Sequence, residues 1–312
     1  MDLSPVAHHL ALQSGVVTRA QLLRTGLAPH DVRRLLRRRE LVRLHPGVFV
    51  DHTGEPTWLQ LAWGGVLLHW PAALSHTSAL RGTDGPGRRS EDGAPIHLAV
   101  DRQRGLTAAP GIRLHRTVGL DGKVLWNATP PRVRIEEALI DVAAEASHDF
   151  AAISVLADAV QARRTTAARL VVALDGRARL ARRQFLRAVL LDIDQGAGSV
   201  LEHGYLVRVE RPHALPRARR QASAVGSIYR DVVYEQVGQI VELDGRLFHD
   251  SAQRRNHDLD RDLDAAVARL GTVRIGWGQV FGTPCRTADR IGRLLRARGW
   301  DGRYRSCAEC AD

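Results

Sequence analysis

The chain of 312 residues carries a formal net charge of +11 at pH 7, and 44% of its residues are hydrophobic while 25% are charged. These proportions are ordinary for a folded globular protein, so they argue against a disordered or collagen-like chain. The length corresponds to roughly two domains, at about 150 residues per domain.

Arginine provides nearly all of the basic charge, since Lys123 is the only lysine among 45 basic residues. A GC-rich genome explains the choice of Arg over Lys but not the excess over 34 acidic residues, which favours a polyanionic partner. The most apolar stretch, residues 59–74, is shorter than the ~20 residues that a bilayer requires. Residues 1–5 lack signal-peptide features, and three cysteines cannot form a disulfide framework. We therefore expect a cytoplasmic, reduced protein with no membrane partner.

Three short helices are predicted in the first forty residues. Residues 4–14 carry apolar side chains at helical spacing and end before Gly15. Thr18 is a suitable N-cap for a second helix, which Gly26 ends. Pro29 is suited to the first turn of a third helix. Short helices joined by tight turns are typical of small DNA-binding domains.

The third helix and two following strands complete a predicted winged helix-turn-helix. Residues 41–44 and 47–50 read as strands around His45 and Pro46, and residues 29–39 form the recognition helix. Arginine suits contacts to phosphate and guanine, although a helical cap whose arginines only face solvent stays open as an alternative. The candidate DNA contacts are Arg33, Arg34, Arg37, Arg38 and Arg43.

Short motifs in this region carry a family resemblance. They are Gly15-Val16-Val17-Thr18, Gly26-Leu27, Val32-Arg33-Arg34, Leu41-Val42-Arg43 and Pro46-Gly47-Val48-Phe49. Together they resemble the N-terminal winged-helix domain of AbiEi-type antitoxins of type IV toxin-antitoxin systems, over roughly a sixth of the chain. The resemblance implies operator binding, autorepression and a cognate toxin as a partner.

The middle of the chain predicts a mixed α/β body that resembles the same antitoxin-like proteins. An apolar helix is expected to end at residues 74–80, and strands are expected at 96–100 and 112–116. Helices are expected at 135–146 and 150–162. The spacing of His76, His97 and His115 matches no metal-ligand motif, so they are interpreted as core or surface histidines.

Composition changes suggest where one domain ends and the next begins. Residues 192–198 are predicted to form a linker, and the pattern of residues along the chain changes from Ser199 onwards. The predicted domains are a winged helix at 1–53, an α/β middle domain at 54–195, a C-terminal domain at 196–300 and a flexible tail at 301–312. The expected fold class is mixed α/β (α+β), with a C-terminal mixed sheet flanked by helices.

Three carboxylates are predicted to meet on one face of a C-terminal hairpin. A two-residue turn at 237–238 places Asp231 opposite Asp244, and alternation puts Glu242 on the same face. Like charges this close repel one another unless a cation lies among them. Oxygen ligands of this kind suit Mg²⁺ or Mn²⁺, the expected cofactors.

These acids belong to a wider pattern that carries a second resemblance. The pattern comprises Glu202, Gln221, Asp231, Glu242, Asp244 and His249. Over residues 199–284 it resembles the domain family related to very-short-patch-repair endonucleases, in the PD-(D/E)XK superfamily. The resemblance implies that Asp231 and Glu242 are metal ligands, Glu202 is the helix acid, and His249 acts as base or orients water.

One residue departs from the superfamily pattern. Its catalytic lysine is expected where Asp244 stands, and this region has no lysine. Either Gln221, His249 or an arginine takes over, or the site is degenerate, since Arg is a poor base but can stabilise negative charge. A polar helix from about Ser251 carries further candidate DNA contacts, which alternatively form a solvated face. They are Arg254, Arg255 and Arg261.

The tail contains a single C-x-x-C motif at Cys307 and Cys310. With only Cys285 besides, a four-ligand zinc site needs a histidine, so a frayed tail is the preferred interpretation.

Two functions stay open. The first is a metal-dependent endonuclease that the winged helix delivers to double-stranded DNA, with metal-activated water attacking a phosphodiester. The second is a non-enzymatic AbiEi-like antitoxin or transcriptional repressor whose last domain only binds. RNA as the substrate is a weaker third hypothesis.

Overall fold

The computed structural model describes residues 6–85, 93–195, 199–224, 228–244 and 271–311. It is a mixed α/β protein, as predicted, and it divides into two compact units, Met1–Val142 and Ala143–Asp312. The sequence-based domain boundaries after residues 53, 195 and 300 stay predictions. Within the described ranges, none of the helices is both long and apolar enough to cross a bilayer.

The N-terminal part of the first unit is a winged helix-turn-helix. Its helices are α1 (Ala7–Leu12), α2 (Arg19–Arg24) and α3 (Pro29–Arg37). Its strands are β1 (Val16–Thr18), β2 (Val42–His45) and β3 (Val48–Val50), in the sheet order β1-β3-β2. The three predicted helices and the two predicted wing strands are confirmed, whereas β1 was not predicted. Thr18 caps α2 as expected, accepting a hydrogen bond from the Gln21 amide at 3.1 Å.

The small sheet buries both of its faces because its residues alternate between two cores. Val17 and Phe49 pack with the three helices, in a core that also contains Leu22. Val16 and Val48, which point the other way, pack into the core of the rest of the first unit. Each face is therefore held by apolar burial rather than exposed to water.

The rest of the first unit is a helix-covered sheet. Its helices are α4 (Trp58–Leu68), α5 (His76–Asp84) and α6 (Ile135–Glu145), the last reaching into the second unit. Its strands are β4 (Ala72–Leu74), β5 (Ile96–Asp101), β6 (Ile112–Thr117), β7 (Val124–Leu125) and β8 (Arg132–Val133), in the order β6-β5-β4-β8-β7. Strands β5 and β6 confirm the prediction. The expected end of an apolar helix at 74–80 is wrong, because α4 stops before Pro71, Leu74 ends a strand, and a separate helix follows.

The second unit combines helices with a four-stranded mixed sheet. Its helices are α7 (Asp149–Gln161), α8 (Ala167–Asp175), α9 (Arg183–Gln195), α10 (Ser199–Gly204) and α11 (Pro284–Ala297). Its strands are β9 (Arg219–Ala224), β10 (Ile228–Tyr234), β11 (Gln239–Asp244) and β12 (Gly271–Gly276), in the order β12-β11-β10-β9. Strands β11 and β12 are parallel, and the other pairs are antiparallel.

One hydrophobic cluster of this unit lies on the face of the sheet that carries Val232 and Val241. Val232 and Val241 pack there with Ile153 of α7 and Val189 of α9. The expected linker at 192–198 begins too early, since residues 192–195 complete α9. Asp192 stays buried there because its carboxylate accepts a hydrogen bond from the amide of Val200 at 2.8 Å.

The β10–β11 hairpin has a register two residues away from the expected one. Glu235–Val237 forms a 3₁₀ turn, and Gly238 follows in the left-handed region with φ of 59°, so the loop is longer than two residues. Val233 consequently pairs with Ile240 rather than with Glu242. Because side chains alternate with a period of two, an even shift keeps every residue on its expected face.

Candidate functional site

Helix α3 is built by local signals at its start. Pro29 occupies the first turn, where its missing N–H costs nothing. The carboxylate of Asp31 accepts a hydrogen bond from the Ala28 amide at 3.0 Å, which caps the helix end. Val32 and Leu35 are fully buried in the winged-helix core. The opposite face of α3 is therefore the one presented to solvent.

Two of the predicted DNA-contacting arginines have acidic neighbours. Arg34 Nη2 lies 3.0 Å from the Asp31 Oδ1, one turn earlier on α3. Arg38 Nη1 lies 3.8 Å from Glu40 Oε1, a long separation from an exposed guanidinium group that stabilises little. Arg34 is thus held by a carboxylate, whereas Arg38 is only loosely paired.

The remaining predicted arginines of the winged helix are exposed and more accessible to a negatively charged ligand. Arg33 and Arg37 are exposed and lie one helical turn apart on α3. Within the described part of the chain neither has a carboxylate partner. Arg43 on β2 is also exposed. A helix face with two unneutralised guanidinium groups can bind two phosphates or the edge of a guanine.

Glu242, one of the predicted metal-binding carboxylates, forms an ion pair with Arg274. Glu242 and Arg274 are register partners on the parallel strands β11 and β12. Arg274 Nε lies 3.0 Å from Glu242 Oε2, and the Glu242 side chain is only 14% exposed. This guanidinium already neutralises the charge that the sequence pattern assigned to a metal ion.

The backbone register also gives the positions of Asp231 and Gln221. Because Val232 pairs with Val241, residue 231 falls opposite Glu242 rather than opposite Asp244 as expected. The β9–β10 pairs on either side place residue 231 opposite residue 221. The side chains of Asp231 and Gln221 lie outside the described part of the structure.

Other predicted site residues are spread over separate elements. Glu202 is a half-buried residue of α10, and Asp244 is exposed at the end of β11. Among the described side chains, Glu202, Glu242 and Asp244 do not assemble into a three-carboxylate group. The expected Mg²⁺ or Mn²⁺ site also includes Asp231, whose side chain lies outside the described part of the structure, so that site stays a prediction. The predicted residues that lie outside the described ranges are His249, Arg254, Arg255 and Arg261.

Comparison with known proteins identifies one part of the chain. Residues 5–50 match a family model described as a transcriptional regulator, AbiEi antitoxin. This segment coincides with the winged helix, from α1 to β3. No curated protein matches the chain.

Among solved structures, the chain is similar to the RV2827C protein from Mycobacterium tuberculosis. The two are 21% identical, with a TM-score of 0.41. The similar region covers 64% of this chain and 79% of that chain.

Two residues of the candidate site, Asp31 and Arg274, were not predicted from the sequence. Asp31 both caps α3 and pairs with Arg34, a role that its position three residues after Ala28 could have indicated. Arg274 alternates with apolar residues in a recognisable strand, but its partner Glu242 lies 32 residues earlier in the chain. Only the pairing of β11 with β12 brings these two together.

The three histidines of the first unit come together although their spacing did not indicate it. The rings of His76 and His115 stack at a centroid distance of 3.6 Å. His97 Nδ1 and His115 Nε2 lie 3.0 Å apart, within hydrogen-bonding distance. One ring nitrogen of each histidine lies within 4.8 Å of the others, so the three could together hold a metal ion, and their interpretation as core or surface histidines stays a prediction.

Proposed function

We propose that this protein is a transcriptional regulator of the AbiEi antitoxin type that binds double-stranded operator DNA through α3. The observation that carries the proposal is the exposed pair Arg33 and Arg37 on the third helix of a winged helix-turn-helix. The match of residues 5–50 to the antitoxin family supports it.

Charge and geometry support duplex DNA as the partner. A recognition helix enters the major groove with its exposed face, while the wing lies against the backbone. Arg43 on β2 is positioned for the second role, and Arg33 and Arg37 for the first. The net charge of +11 adds long-range attraction to any polyanion. A cognate toxin is the second partner that the family match suggests.

Fluorescence anisotropy tests operator binding directly. The probe is a labelled duplex from the DNA immediately upstream of the coding sequence, and a shuffled duplex of equal length is the control. We expect the upstream duplex to bind at least about tenfold more tightly, since specific binding typically exceeds non-specific binding by ~10³ or more. An RNA duplex of the same sequence tests the RNA hypothesis. Equal affinity for upstream and shuffled DNA refutes operator recognition.

A metal-dependent endonuclease is the second candidate function. The supporting observation is the order of elements in the second unit, where helix α10 precedes three antiparallel strands and a parallel fourth strand is followed by α11. This arrangement resembles the PD-(D/E)XK core, and its register brings residue 231 opposite Glu242. The Arg274–Glu242 ion pair and the absence of the catalytic lysine at Asp244 favour a binding-only domain.

A plasmid-cleavage assay separates the two candidates. Supercoiled DNA is incubated with the protein in Mg²⁺, in Mn²⁺ and in EDTA. Glu242→Gln removes the proposed ligand, and Glu235→Gln is the matched control because Glu235 is an exposed hairpin residue paired with Arg219 at 2.7 Å. Cleavage that requires metal and Glu242 but not Glu235 establishes the nuclease. If the folded wild-type protein does not cut in either metal, the second unit serves binding only.

A further inference from the structure

Four side chains of types that can ligate a metal ion converge in the second unit. Cys285 lies in the first turn of α11, and Cys307 and Cys310 lie near the end of the chain. His213 follows the wide helical turn that extends α10. Their ligand atoms all lie within 4.8 Å of one another. Residues separated by up to 97 positions thus point at a common centre.

Three of the six distances between these ligand atoms match those of a tetrahedral centre. Cys285 Sγ lies 3.6 Å from Cys307 Sγ, which lies 3.7 Å from Cys310 Sγ. Cys310 Sγ lies 3.4 Å from His213 Nε2. Bonds of ~2.3 Å to sulfur and ~2.05 Å to nitrogen predict edges of about 3.8 Å between sulfurs and about 3.5 Å between sulfur and nitrogen. All three cysteines are free thiols in the structure.

The histidine is oriented as a metal ligand. His213 is completely buried, and its Nδ1 lies 2.9 Å from the carbonyl oxygen of Val209. A neutral ring that donates its Nδ1 proton to this carbonyl leaves the Nε2 lone pair directed at the three thiols. The same carbonyl contact fixes ring orientation in many zinc sites.

Tyr304 provides a second supporting contact around the cluster. Its hydroxyl lies 3.2 Å from Cys310 Sγ, where it can donate a hydrogen bond to a thiolate. Its ring stacks on His213 with centroids 5.5 Å apart and planes 8° from parallel. The backbone amide of Arg305 also donates to the His213 carbonyl at 3.0 Å. The C-terminal segment is therefore aligned with His213 by contacts independent of the thiols.

We propose that His213, Cys285, Cys307 and Cys310 bind one structural Zn²⁺ ion. Three thiolates and one imidazole form a tetrahedral donor set that suits zinc, and four protein ligands leave no position open for water or substrate. The ion connects the turn after α10, the first turn of α11 and the chain end. This proposal does not rest on the proposed DNA binding.

A disulfide is the competing explanation for neighbouring cysteines. Oxidation of Cys307 with either neighbouring thiol links two sulfurs and makes no use of a buried histidine. Zinc binding, in contrast, requires His213 as the fourth ligand. The effect of replacing His213 on metal content therefore distinguishes the two explanations.

Metal analysis of purified variants tests the site. The tag-free protein is purified with a reductant, dialysed against metal-free buffer and analysed for zinc by mass spectrometry. We expect His213→Gln and Cys310→Ser each to contain about one zinc per chain less than the wild-type protein, since each lacks one of four ligands. His203→Gln is the matched control, because His203 is an exposed histidine of α10, and it should keep the wild-type content.

A second measurement uses only the wild-type protein, so the proposal can be refuted even if the variants do not fold. Replacement of zinc by Co²⁺ in the wild-type protein should give the intense visible bands of tetrahedral cobalt with thiolate ligands. Wild-type protein that neither retains zinc nor gives this spectrum overturns the proposal. Unchanged zinc in folded His213→Gln also overturns it.

Discussion

Simultaneous replacement of Arg33 and Arg37 by Gln tests the proposed recognition helix most directly. Both side chains are exposed on α3 without a carboxylate partner in the described ranges, so each is available to neutralise one phosphate. Each phosphate contact contributes about 0.9 to the slope of log affinity against log salt, so the double variant should lose about 1.8 of that slope. Between ~50 and ~200 mM salt, the wild-type protein should then lose about 12-fold more affinity than the variant.

Anisotropy titrations across a salt series measure this slope for each protein. The double replacement of Arg102 and Arg116 by Gln is the matched control. Both are exposed arginines of the first unit outside the winged helix, and their replacement changes the net charge equally. We expect the control to retain nearly the wild-type slope, because diffuse charge contributes less than direct phosphate contacts.

Two results refute this reasoning. An unchanged slope in the Arg33 and Arg37 variant removes α3 as the docking element. Equal losses in both double variants show that net charge, rather than the helix face, determines binding.

Three further predictions concern stability. Leu35→Ala should destabilise the winged helix by about 2–5 kcal/mol in urea unfolding, because Leu35 is fully buried in its core; a loss below about 1 kcal/mol contradicts that packing. Tyr234→Phe should cost the second unit about 0.5–1.5 kcal/mol by calorimetry, since its hydroxyl lies 2.8 Å from that of Tyr205 in the core, and no change contradicts the contact. Burial, with neighbouring basic groups, lowers the pKa of His69 below its ordinary 6.5. The unfolded chain therefore binds more protons, so first-unit stability should fall as pH drops below 6.5, and His69→Gln should flatten this dependence.

Elements with local signals could be predicted from the sequence. Thr18 and Pro29 mark the starts of α2 and α3 by capping chemistry that involves only neighbouring residues. The alternation of side chains after the turn at 237–238 likewise indicated the hairpin strand β11. The arginines of α3 could be assigned to its exposed face because the buried face was already marked by Val32 and Leu35.

The hairpin register could not be predicted to the residue. A Gly after Val237 suggested a two-residue turn, but the 3₁₀ turn of Glu235–Val237 competes with strand pairing and lengthens the loop. Turn conformation depends on the strands that the loop connects as well as on its own sequence. Side-chain alternation along each strand is a local property. The faces predicted for Glu242 and Asp244 are therefore unchanged although the predicted register was wrong.

Contacts between residues that lie far apart in the chain could not be predicted from the sequence. Cys307 and Cys310 indicated half of a metal site, but nothing near them in the chain designated His213 as a partner. Their contact depends on how residues near 310 pack within the second unit, which is determined by many weak contacts. The pairing of Arg274 with Glu242 depends in the same way on the neighbouring parallel strands.

The two-sided sheet of the winged helix has a consequence for how the first unit folds and how it can be truncated. Val16, Val48 and Val50 contribute to the same core as Val66 and Leu98, which lie beyond residue 53. A fragment ending at residue 53 would expose these valines to water and create an apolar surface prone to self-association. We therefore expect the winged helix and the sheet beyond it to melt in one cooperative transition, and a minimal soluble fragment that contains the winged helix to extend to about residue 142.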